Sequence, residues 1–180
     1  MGGGRKDRID GQGYRYSHAS ISIGKELRHR QMMSFSRKHI NKVFSPCLQY
    51  EDINRGMFAY YKNETEIVVA ELKVPPERFD EVHRNMLADY RKREQLSFNY
   101  LGLLGHLFRG KGLAMRNKFF CSQWVAKILE ESAVHLFKDK SLYDVKPNDF
   151  YIRLREYIIY EGPLVEYPHY SHNEENAIEE

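Results

Sequence analysis

The hydrophobic and polar positions of this chain first fall into an alternating run. "YRYSHASISI" (Tyr14 to Ile23) alternates and is rich in Ser and Ile, which predicts a half-buried strand. Gly24 and the charged "KELRH" interrupt it. "RQMMSFSRK" (Arg30 to Lys38) then predicts a second strand, so the pair is expected to form a hairpin. "INKVFSPCLQYEDINRG" has no clear period and contains Pro46, and reads as a long loop. "TEIVVAELKV" (Thr65 to Val74) is the clearest strand. "PPERFDEVHRNMLADYRKREQ" opens on Pro75 and Pro76, with acids early and bases late, as a helix dipole favours. Phe79, Val82, Met86, Leu87 and Tyr90 supply its apolar stripe.

Further on, "FNYLGLLGHLF" predicts a short apolar helix broken by glycines, followed by the basic loop "RGKGLAMRNK". "NKFFCSQWVAKIL" then starts a helix at Cys121 that runs to about Ser132, with Trp124, Val125, Ile128 and Leu129 on the face of the cysteine. "KPNDFYIRLRE" predicts one more helix, with Asn148 or Asp149 near its cap. "YIIYEGPLVEY" reads as a strand and turn punctuated by Gly162-Pro163. Strands, then helices, then a strand imply an α+β fold, an antiparallel sheet packed against helices in one domain. The expected organisation is a flexible segment over 1–13, the domain over 14–167 and a polar acidic tail over 168–180.

Composition narrows the class. A chain of 180 residues with 13 Tyr and 10 Phe is aromatic enough to argue against general disorder. A net charge of +3 does not single out nucleic acid, and the clusters "RHRQ" and "YRKRE" read as solvated faces. Two cysteines make no disulfide framework, which favours a reducing compartment. "MGGGRKDRIDGQGYRY" has no apolar stretch and carries Lys6 where a myristoylation signal needs Ser or Thr. With no signal peptide or membrane span visible, the expected location is cytoplasmic.

The candidate chemistry centres on Cys121. A thiol in the first turn of a helix feels the positive end of the dipole and unpaired amides, both of which favour thiolate. Arg109, Lys111, Arg116 and Lys118 precede it. Such a nucleophile needs a base, and the base an orienting partner. His18 lies in the first strand between small Ser17 and Ala19, and Ser34 and Ser36 share a face of the next. These residues alone also fit a buried filler cysteine and a structural histidine.

At these positions the chain resembles the circularly permuted, papain-like cysteine hydrolases of the NlpC type, the YiiX/YaeF-like group. The resemblance rests on "YSHASISI", matching H-x-x-I on an early strand, on "MMSFSRK", and on "FFCSQWVA", matching F-C-S-[EQ]-x-V-A at a helix start. "FNYLGLLG" and "IIYEGPLVEY" are also similar, so it spans roughly residues 14 to 167. It implies a permuted papain-like architecture, with Cys121 as nucleophile, His18 as general base and Ser34, or alternatively Ser36, in the third role. Many relatives carry Glu or His there, so serine is a departure. The implied activity is amidase- or peptidase-like hydrolysis through a covalent acyl-enzyme, on a peptide, peptidoglycan-like or lipid amide or ester substrate, without cofactor or metal.

Two alternatives accompany this reading. One is a non-catalytic binding module using the basic surface near Arg116 and Lys118 for an anionic partner. The other is a thiol acyltransferase acting on lipids. Tyr100 and His106 are candidates for lining a substrate cleft. His169 and His172 have helical spacing but lack further ligands in a metal pattern, and Cys47 has no helix start after it. "GLLG" and "RGKG" lack the spacing of a phosphate loop.

Overall fold

The structure, a computed structural model, describes residues 16–37, 46–98 and 118–171. Its main sheet has three antiparallel strands in the order β1 (Ile21–Ser22), β2 (Met32–Arg37), β3 (Pro46–Glu51). The expected hairpin is the β1–β2 pair, with Ile21 opposite Met33. The strand β3 corrects the loop expected over this stretch. It pairs with β2 along its whole length, from Pro46 opposite Arg37 to Glu51 opposite Met32. Pro46 is tolerated because it is the first residue of the strand, at the end of the ladder. Leu48 and Tyr50 alternate with Cys47, Gln49 and Glu51, so Leu48 faces the core opposite Phe35.

Helix α2 (Pro76–Arg91) and helix α3 (Cys121–Glu131) pack on this sheet. Met33, Phe35, Leu48, Val82, Met86, Trp124, Val125 and Ile128 form one buried cluster. Each large side chain fully buried there contributes roughly 1.5–3 kcal/mol. The two helices are also pinned by polar contacts. Asp89 accepts from the Trp124 indole N–H at 3.0 Å and from Lys127 Nζ at 2.9 Å, and Asn85 donates to Ser132 at 3.0 Å. Phe79 leaves the expected stripe and is 42% exposed, because these contacts come from the second half of α2.

Strands β4 (Glu66–Ala70) and β7 (Ile158–Pro163) form an antiparallel pair, with Ile67 opposite Gly162. Ile67 and Val69 pack with Met32, Ile53, Leu164 and Tyr167 in a second cluster. Short strands β5 (Ser97–Phe98) and β6 (Lys118–Phe119) pair in parallel. Phe98 therefore lies in a strand, not at the start of the expected helix. The rest of that helix and most of the basic loop lie outside the described residues. Helix α1 (Gly56–Tyr60) follows β3, and helix α4 (Pro147–Arg153) matches the helix expected there. Asp149 serves the start of α4, its carboxylate accepting the Lys146 N–H at 2.7 Å. The described residues thus form an α+β fold of small, mostly antiparallel sheets and helices. None of their helices is long and apolar enough to cross a membrane.

Candidate active site

Cys121 is the first residue of α3, after Phe120 in extended conformation at φ −106°, ψ 173°. The helix begins here because its first-turn polar side chains are tied down. Gln123 Oε1 accepts the Phe120 N–H at 3.3 Å, and Gln123 Nε2 donates to the Tyr143 carbonyl at 2.5 Å. Ser122 Oγ donates to the Val145 carbonyl at 2.7 Å. Ser122 and Gln123 are buried as completely as the apolar residues beside them. In "FCSQWVA" the serine and glutamine thus anchor the helix terminus, and Trp124 and Val125 anchor its core face. Cys121 as a whole is 8% exposed.

His18 lies three residues before β1, close enough to Cys121 that each shifts the other's protonation. Its ring faces Glu51, the last residue of β3, with Nε2 3.0 Å from Oε1 and 3.2 Å from Oε2. Ser20 Oγ donates to Glu51 Oε2 at 2.5 Å and lies 3.2 Å from the same ring nitrogen. The Glu51 side chain is nearly sealed, at 6% exposed, while the His18 side chain is one-third open, at 34%. A carboxylate so enclosed needs a cationic or hydrogen-bonding partner, and this one has His18 and Ser20.

The backbone of Ala19 explains why the first strand is short. Its carbonyl accepts from Ser34 Oγ at 2.6 Å, and its amide is one of the groups that favour thiolate at Cys121. The Ala19 carbonyl is thus taken by a side chain and not by a neighbouring strand, and regular pairing starts at Ile21.

Electrostatics follow from this geometry. Burial opposes charge on His18, but the Glu51 carboxylate and the bond to Cys121 outweigh it and hold the imidazole well above its ordinary 6.5. Burial pushes the Cys121 thiol up. The His18 hydrogen bond and charge, with the Ala19 and Ser122 amides, more than offset that and bring it below its ordinary 9.0. Burial also raises Glu51, yet the charge and hydrogen bond of His18 and the Ser20 hydroxyl carry it below 4.5. The arrangement favours thiolate, imidazolium and carboxylate together.

Cys121 and His18, which the resemblance pairs, lie near enough that His18 lowers the thiol. Ser34 does not occupy the expected third place: its hydroxyl is fully buried and donates to the Ala19 carbonyl. Ser36 sits opposite Cys47, and its hydroxyl accepts from Gln49 at 2.7 Å. The carboxylate that holds the imidazole is Glu51, on strand β3, where the sequence predicts a loop. Tyr100 and His106 lie outside the described residues, as does His172. His169 packs edge-on against Tyr167 at 5.5 Å. Among the described residues no group of three or more His, Cys, Asp and Glu is arranged to hold a metal ion.

No family model, no curated protein and no solved structure matches this chain.

Proposed function

We propose that this chain is a cysteine-dependent hydrolase of the permuted papain-like, NlpC type, with Cys121 as nucleophile, His18 as general acid and base, and Glu51 as the group that orients and charges His18. The observations that carry the reading are the His18–Glu51 pair at 3.0 Å and a thiol beside it, at the start of a buried helix, that His18 pulls below its ordinary range. Nucleophile, base and orienting group within hydrogen-bond reach define such sites irrespective of chain order.

With Nε2 held by Glu51, Nδ1 is the nitrogen that serves the thiol. The thiolate attacks the substrate carbonyl, and the new C–S bond forms as the carbonyl becomes an oxyanion. The Cys121 backbone N–H, unclaimed by the helix as its first-turn amides are, is suited to stabilise that charge. The bond to the leaving group then breaks, and His18 gives its proton to the departing nitrogen or oxygen. Neutral His18 next takes a proton from water as the water attacks the thioester. The C–S bond breaks, the acid leaves, and the thiolate–imidazolium pair is restored. Glu51 keeps the ring oriented and its charge compensated throughout, as a carboxylate does in other triads.

The test is a trapping experiment. The protein is incubated with para-nitrophenyl acetate and its mass followed with time, with Cys121→Ala in parallel. The reading expects an acetyl adduct on Cys121 that decays as acetate is released, absent from Cys121→Ala and long-lived in His18→Ala. Acetylation spread over surface lysines, equal in Cys121→Ala, contradicts it.

A further inference from the structure

The basic stretches "RHRQ" (Arg28 to Gln31) and "YRKRE" (Tyr90 to Glu94) read separately as solvated faces, yet the fold joins them through Tyr50. The His29 ring lies 5.2 Å from the Tyr50 ring, and the Tyr50 ring 4.5 Å from that of Tyr90. The Arg93 guanidinium sits over Tyr90, 4.5 Å from the ring centre. Burial and Tyr90 push the Tyr50 hydroxyl up, and the charge of Arg30 pulls against them. Cations thus flank a run of rings that crosses from the β1–β2 loop over β3 to the end of α2.

His29, Arg30, Arg91, Lys92 and Arg93 are exposed. None of them forms an ion pair with another described residue. Asp52, which accepts the His29 N–H at 3.2 Å, pairs instead with Arg55 at 4.0 Å. Arg30 also holds its place at a cost. Its φ is 69°, in the left-handed region that glycine adopts without strain. Leu27, at φ 52° in the same loop, packs into the second core cluster, whereas Arg30 is exposed. Packing therefore accounts for the leucine and not for the arginine.

Cations without carboxylate partners attract phosphate, and rings between them offer faces to bases. A membrane surface would call for exposed apolar side chains beside the cations. Those stand elsewhere, on α1, the start of α2, α4 and residues 157–159. Tyr50 and Glu51 are successive strand residues and point to opposite faces of β3, so the run of rings is separate from the His18 site.

We propose that this surface binds single-stranded nucleic acid, with phosphates on Arg30, Lys92 and Arg93 and a base stacked on His29, independently of the hydrolase reading.

The test is the fluorescence anisotropy of fluorescein-labelled oligouridylate and oligothymidylate titrated with the full chain at a series of salt concentrations, beside a duplex of the same length. Saturable binding of either single strand is expected, weaker for the duplex and falling steeply as salt rises. Arg93→Gln removes one phosphate contact, so it should lower the salt slope by about 0.7 and the affinity by about fivefold near 0.1 M salt. His29→Ala should weaken binding by about fivefold or more. Arg30→Gly removes a charge while relieving the backbone, so it should keep or raise the urea midpoint and still bind more weakly by about fivefold. No binding at low salt, a duplex bound as tightly as the single strands, or an affinity that ignores these three substitutions overturns the proposal. Sedimentation with phosphatidylserine vesicles that leaves the oligonucleotides unbound overturns it in favour of a lipid surface.

Discussion

Glu51 Oε1 lies 3.0 Å from His18 Nε2, joining two residues 33 positions apart across the width of the main sheet. The contact exists because β3 pairs with β2 in a register that sets Glu51 opposite Met32, at the same end of the sheet as β1. A carboxylate at this place does what a serine hydroxyl cannot: it carries a full charge to compensate the imidazolium.

Replacing Glu51 with Gln keeps the shape and removes the charge. The expected result is a fall of about a hundredfold or more in Cys121-dependent ester hydrolysis. The pH at which Cys121 becomes alkylatable should also move upward, because His18 loses the charge that keeps it protonated. Steady-state kinetics and a pH series of iodoacetamide rates check both parts. A Glu51→Gln variant with unchanged kinetics would assign the carboxylate to folding alone.

Ser34→Ala is expected to behave differently. The hydroxyl bonds the Ala19 carbonyl, so its removal leaves that buried acceptor short of a donor and should cost about 1 kcal/mol of stability in urea denaturation. The alkylation profile of Cys121 should keep its midpoint. A shifted midpoint with unchanged stability would return Ser34 to the orienting role.

The contrast between Ser34 and Glu51 shows what could be read from the sequence. Small neighbours around His18 and a helix start at Cys121 fit a structural pair as well as a catalytic one, and it is the resemblance that joins the two residues. The resemblance points to Ser34, or alternatively Ser36, on the strand beside His18, but which polar group meets the imidazole depends on register. That register involves β3, which Pro46 disguised as loop. A signal was present in "CLQYE", where Leu48 and Tyr50 alternate with Cys47, Gln49 and Glu51. Alternation does not show where regular pairing begins, because the Ala19 carbonyl is taken by the Ser34 hydroxyl and the ladder starts at Ile21. The clear helices from Pro76 and Cys121 were legible because burial of a stripe at helical spacing dominates there.

Asp89 is expected to matter for stability rather than chemistry. It accepts from the indole of Trp124, which is fully buried, and from Lys127. Asp89→Ala strands the indole N–H and should cost about 2 kcal/mol, read as a lower urea midpoint. Cys121 should keep its alkylation profile under conditions where the variant is folded.

Stability should vary with pH in a way set by the ion pair. His18 has a raised folded pKa, so its contribution is complete below about 6.5 and is lost as pH rises through the higher folded value. Glu51 has a depressed one, so its contribution is complete above about 4.5 and is lost as pH falls through the lower folded value. The stability difference between the wild type and His18→Ala is therefore expected to be largest between about pH 4.5 and 6.5 and to shrink on both sides. Urea denaturation at a series of pH values checks this, and a difference that is constant with pH counts against the pair.

The central claim is that His18 activates Cys121, and the most direct measurement is the rate of iodoacetamide alkylation at each cysteine against pH, with and without His18→Ala. The account predicts that Cys121 alkylates rapidly with a midpoint below the ordinary 9.0 of a thiol, and that His18→Ala moves this midpoint up. A Cys121 that stays unmodified until the protein unfolds, or whose midpoint ignores His18, would contradict it.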